Sequence, residues 1–123
     1  MDDQRLRLRE RLQQPSAYQR VFQGGRKLVS PLFVLYILPT SEPHSRLGLA
    51  VSKRVGSAVV RNRIKRRMRE LFRRHKTLLT PPCDVVVVAR HEAAEAPWKA
   101  YVQHYLTLLE RHQRLLREKG SEG

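Results

Sequence analysis

The chain contains one cysteine, Cys83, and only 11 acidic side chains against 25 lysines and arginines. A single cysteine excludes an internal disulfide framework and a cysteine-rich zinc site, and it fits a reduced cytoplasmic compartment. Long hydrophobic runs are missing too. The longest, LFVLYIL at Leu32 to Leu38, is strand-sized and far short of the roughly 20 residues of a membrane span. The opening MDDQRLRLRER has no apolar core of the signal-peptide kind, so the expectation is a cytoplasmic protein. No glycine-rich phosphate loop follows a strand; Gly24-Gly25 reads as a turn. The carboxylates are scattered, and His44, His75, His91, His104 and His112 show no metal-ligand spacing with Cys83. A self-contained nuclease needs clustered carboxylates for metal ions, or a histidine pair for proton transfer, and the chain promises neither.

What is present is positive charge on a foldable chain. Apolar residues make up 41% of 123 residues, which suits one domain with a modest core. The net charge of +14 exceeds what solubility requires and repels itself in the isolated protein. A polyanion is the natural compensation, nucleic acid first and an anionic membrane surface as the weaker alternative.

Patterning predicts the order α-β-β-β-α-β-α, a two-layer α-β sandwich on a four-stranded sheet. Residues 1–14 read as a basic arm, with Leu6, Leu8 and Leu12 able to dock parts of it. Residues 15–117 read as the domain and 118–123 as a tail. A short helix over 17–22 is capped by Ser16 and ends at Gly24-Gly25. Strands are expected over 26–29, 32–38, 46–52 and 84–89. In the third, Leu47, Leu49 and Val51 alternate with Gly48, Ala50 and Ser52, so something should approach the small face closely. The run Val85 to Val88 implies a central strand covered on both faces. Asp84, alone at its start, reads as a strand-end or capping residue. Pro97 opens a last helix whose apolar stripe includes Trp98, Tyr101 and Tyr105.

The fifth element carries the functional signal. Ser57 caps a helix expected over 58–76 that holds nine cations and one anion, Glu70. On a helical wheel Val60, Ile64, Met68, Leu71 and Phe72 form the core arc. Asn62, Arg66, Arg69 and Arg73 lie opposite. Arg63, Arg67 and Arg74 occupy one shoulder, Lys65 and Lys76 the other. Arg61 falls inside the core arc and should be aimed past the end of the sheet. Like charges recur at i and i+4, each pair costing about 0.2–0.5 kcal/mol. Cations in the first turn also oppose the helix dipole. A helix built for solubility would mix signs; this one fits a phosphate-binding surface. Asn62 among arginines adds a donor and an acceptor for a base edge or a sugar hydroxyl.

The stretch VSKRVGSAVVRNRIKRRMRELF, Val51 to Phe72, resembles the signature of the bacterial ribonuclease P protein component. Arg11-Leu12, AYQRVFQGG, PLFVLYIL, RLGLAVS and CDVVVVAR extend the resemblance over roughly residues 11–116. It implies a ribosomal S5 domain 2-like α+β fold with a left-handed βαβ crossover, an exception to the usual hand. It also implies a protein that binds a catalytic RNA and helps remove the 5′ leader of precursor tRNA, with Mg²⁺ serving the RNA. Ribonuclease P RNA and precursor tRNA would be the partners, with no membrane and no DNA. By position, Lys53, Arg54, Arg61, Asn62, Arg63, Lys65, Arg66, Arg69 and Arg73 would meet the catalytic RNA. Tyr18, Phe22 and Tyr36 would line the leader cleft, although as large aromatics they also suit a core. Tyr18 stands where the family usually has Phe, and Ala17 where Asp is common. The alternatives are an rRNA-binding protein of the same fold, active in the ribosome or its assembly, and a free-standing nuclease.

Overall fold

The computed structural model describes the backbone of residues 7–122 and the side chains of residues 7–119. Helix α1 spans Pro15–Gly24, α2 Ala58–Arg74 and α3 Trp98–Glu122. Strands β1 Arg26–Val29, β2 Phe33–Pro39, β3 Arg46–Ala50 and β4 Cys83–Ala89 form one mixed sheet in the order β1-β2-β4-β3. Only β3 and β4 run parallel, and α2 is the connection between them. This is the expected α+β fold with its element order.

The valine run of β4 is explained by what covers it. Val85 and Val87 join Phe33, Leu35 and Ile37 of β2 in the main core beneath α2 and α3. Val86 belongs to a second cluster with Leu12, Ala17 and Val21, with Tyr36, Leu38 and Val88 packed against it. Helix α1 therefore lies on the sheet face opposite α2 and α3, so the central strand is apolar on both sides.

Local expectations shift at the ends of elements. Helix α1 starts at Pro15, with Gln14 in the cap position, so Ser16 lies inside the first turn and does not cap. Proline is favoured at that first position because its missing N–H has no partner to lose. Helix α2 stops at Arg74, and residues Lys76–Leu78 tighten into a 3₁₀ turn. Ser57 does cap it, accepting from the Val60 amide. Helix α3 continues through 118–122, which were expected as tail. The expected arm is docked from residue 8 on: Leu12 donates its amide to Leu47 O at 2.9 Å, and Glu10 pairs with Lys76. Leu8 remains 66% exposed, and Leu6 lies outside the described residues.

His112 of α3 is buried against Cys83, and its Nδ1 has no partner among the described residues. Burial, and then the charge of Arg26, lowers its pKa. Burial and Arg74 do the same for His75. A depressed histidine contributes stability that is complete above its unfolded pKa of about 6.5 and is lost as pH falls through the folded value. Chemical denaturation should therefore show falling stability from pH 7.5 to 5.5, with a shallower pH dependence in His112→Leu. An unchanged slope would place the titration elsewhere.

Candidate nucleic-acid interface

The close approach expected on β3 is made by Tyr18. A Cβ at Gly48 would lie 2.8 Å from two carbons of the Tyr18 ring, so only glycine leaves room for that ring. The Tyr18 hydroxyl accepts the Leu49 amide at 3.1 Å, which satisfies a backbone donor on an edge strand. One turn on, Phe22 is 40% exposed and meets Tyr36 edge to face, ring centroids 4.9 Å apart. Tyr18 and Tyr36 are half-buried. Lys27 pairs with Tyr36 across β1 and β2, so it shares that sheet face and adds a cation. The three aromatics thus lie on one side of the sheet, Tyr18 and Tyr36 packed against the second apolar cluster and Phe22 exposed.

Beside Tyr18 the edge of β3 opens into a cavity of about 220 Å³, lined by Arg11, Leu12, Tyr18, Leu47, Leu49, Lys65 and Arg69. Three cations and no carboxylate surround it. Burial, then the charge of Arg11, lowers the pKa of Arg69. Arg11 has a buried Nε without a partner among the described residues. Two half-buried guanidinium groups side by side, one with an unused buried donor, suit an anion. Sequence patterning did not place Arg11 beside Arg69: it sits far from α2 in the chain, and only the docking of the N-terminal segment on β3 brings it there.

The remaining expected RNA contacts divide. Asn62 and Arg66 are exposed on the crest of α2, and Lys53 and Arg54 are exposed on a 3₁₀ turn just before it. Arg61 reaches back along α2 to the segment beyond the end of β3, its Nε donating to Gly56 O at 3.1 Å. Arg63 leans toward α3 and donates to Ala94 O at 2.6 Å. Arg73 is tied to the buried carboxylate of Glu70, which also pairs with Arg74. These arginines hold Glu70 below the usual carboxylate range against the opposing effect of its burial.

Among the described residues no three His, Cys, Asp or Glu side chains gather as metal ligands. Burial, then the charge of Asp84, pushes the Cys83 thiol up to about 11, which makes it a poor nucleophile. Among the described residues no helix is long and apolar enough to cross a membrane.

Comparison with known proteins agrees with this geometry. The family model for ribonuclease P matches residues 6–113. The ribonuclease P protein component of Geobacillus sp. strain WCH70 is 37% identical over 114 residues, covering 92% of this chain and 98% of that one. Its counterpart in Shouchella clausii is 42% identical over 95 residues, 76% of this chain and 78% of the relative. The fold superimposes on the RNase P protein of Staphylococcus aureus with a TM-score of 0.77 at 32% identity, covering 84% of this chain and 94% of that one. For the Thermotoga maritima protein the TM-score is 0.75 at 31% identity, with 83% and 96% covered. The family match over most of the chain, these identities and this fold mean that the chain belongs to the ribonuclease P protein family, the protein component of a ribonucleoprotein endoribonuclease.

Proposed function

We propose that this chain binds ribonuclease P RNA through α2 and the turn before it, and guides the 5′ leader of precursor tRNA along the Tyr18, Phe22 and Tyr36 cleft. The observation that carries the reading is the cavity where Arg11, Lys65 and Arg69 stand beside Tyr18 without a carboxylate. Phosphate of the catalytic RNA on those cations and a leader base on the neighbouring ring would be engaged side by side, with no need for sequence readout. Asn62, Arg66, Lys53 and Arg54 extend the contact with the catalytic RNA. Arg61, Arg63 and Arg73 keep spare N–H groups for it beyond their internal bonds. Bond cleavage belongs to the RNA and its Mg²⁺ ions, which neutralise developing charge and activate water when bound there. Among the described residues the carboxylates do not fit a Mg²⁺ site, because they are dispersed or already paired, as Asp84 is to Arg46 and Glu70 to Arg73 and Arg74. The reading places the protein in the cytoplasm, with tRNA processing as its task. Family membership favours it over ribosome assembly.

The test is cleavage of precursor tRNA by ribonuclease P RNA at low Mg²⁺, where protein cations have most charge to neutralise. The protein should raise the rate over RNA alone and cleave nothing by itself. No gain would overturn the assignment. Tyr18→Ala should weaken binding of leader-bearing precursor by about fivefold or more while affecting mature tRNA little. Tyr18→Phe keeps the stacking face and should retain the discrimination. Equal losses for precursor and mature tRNA would return Tyr18 to a packing role.

A further inference from the structure

The other shoulder of α2 carries a second cationic groove. Arg63, Arg66, Arg67, Glu70, Arg74 and Trp98 line a depression of about 360 Å³ between α2 and the start of α3. Its one carboxylate, Glu70, is already engaged by Arg73 and Arg74. Arg63 and Arg67 each donate to a carbonyl, Ala94 O at 2.6 Å and Ala96 O at 2.9 Å. A neutral acceptor orients a guanidinium without cancelling its charge, so the positive field remains. The groove is also aromatic. The Arg67 guanidinium lies 4.9 Å from the centre of the Tyr101 ring. Trp98 stacks on Tyr101 at 6.5 Å and 21°, and the Arg74 guanidinium stands 5.9 Å from the indole. Fastening the Ala94–Ala96 loop to α2 accounts for Arg63 and Arg67. It does not account for Arg66, which is exposed, for the N–H groups that Arg74 keeps beyond its pair with Glu70, or for an indole lining a cationic groove.

We propose that this groove docks an unpaired nucleotide of the catalytic RNA, its base on Trp98 and its flanking phosphates on Arg63, Arg66 and Arg74. The inference rests on the family reading and extends it from Arg63 and Arg66 to Arg74 and Trp98, which that reading leaves unused. The helix body, about 10 Å across, separates the groove from the Tyr18 cleft, so a leader lying in the cleft does not fill it. Arg66, exposed on the crest and lining the groove, makes the groove continuous with the surface assigned above to the catalytic RNA. Base stacking on an indole with arginines around it is a common way to hold a single-stranded nucleotide.

Trp98 is the only tryptophan of the chain, so its emission reports on this groove alone. Titration of the full-length protein with ribonuclease P RNA should quench that emission, and a leader oligonucleotide should not. Arg74→Gln, at an exposed position, should weaken binding of the RNA by about threefold to tenfold and lower the salt slope by about one. Trp98→Leu should weaken it by about fivefold or more. Trp98→Phe, which preserves packing, should recover part of that loss. Unchanged emission, with Arg74→Gln binding as tightly as the parent while Arg69→Ala binds less tightly, would overturn the groove and leave the family reading standing. Quenching by the leader alone would also overturn it. If Arg69→Ala too binds like the parent, α2 as a whole is not the RNA face and both readings fall.

Discussion

Arg46→Leu is expected to cost about 3–5 kcal/mol of folding stability, the largest loss from a single substitution argued here. Asp84 is only 4% exposed, and Arg46 meets it with two bonds, Nε to Oδ1 at 2.8 Å and Nη2 to Oδ2 at 2.7 Å. The bond to Asp84 raises the Arg46 pKa, in keeping with a paired cation. Removing the arginine strands a buried carboxylate at the start of the central strand, with no other ion pair to it among the described residues. The pair also joins the first register position of the parallel strands β3 and β4, the two strands that α2 connects. Urea unfolding at neutral pH reads the loss directly. The double variant Arg46→Leu with Asp84→Leu should recover much of it, because the cost lies in the orphaned charge and not in the absence of an ion pair. Equal instability in the single and double variants would refute that account.

Asp84 shows where a sequence reading runs out. Alone at the head of a valine strand it looked like a strand-end residue, because its partner lies 38 positions earlier and pairs with it only through sheet register. Features with a local physical cause were legible. An unbroken valine run needs two covered faces, and β4 has them. A strand with only small residues on one face needs a close neighbour, and Tyr18 is that neighbour. The wheel of α2 separated the core arc from the cationic faces correctly, since Ile64, Met68, Leu71 and Phe72 are buried. It could not give each arginine its acceptor, because a guanidinium on a long stem reaches several. Arg61 turns back to Gly56, and Arg73 turns to Glu70. Arg11 was invisible as a site residue for the same reason as Asp84: its neighbours are set by tertiary docking alone. The family resemblance supplied the cleft aromatics, and composition alone would not have separated them from core residues.

Arg69→Ala should lower affinity for ribonuclease P RNA by about tenfold or more, the range of a charge-assisted hydrogen bond, and reduce the salt slope by about one. What distinguishes it from ordinary damage is the free protein. Arg69 gives up water to stand beside Arg11, and its lowered pKa records that its charge is disfavoured there. Removing the charge relieves both the desolvation and the repulsion, while the aliphatic stem it takes away is the only loss. Thermal unfolding at low salt should therefore find Arg69→Ala as stable as the parent or more so, with the difference shrinking as added salt screens the repulsion. Arg11→Gln should behave alike, since it removes the other half of the same conflict. A binding loss accompanied by an equal loss of stability would mean that Arg69 serves the fold. A binding loss without one means that the folded protein tolerates an unfavourable charge that only RNA phosphate relieves, as expected of a surface selected for its partner.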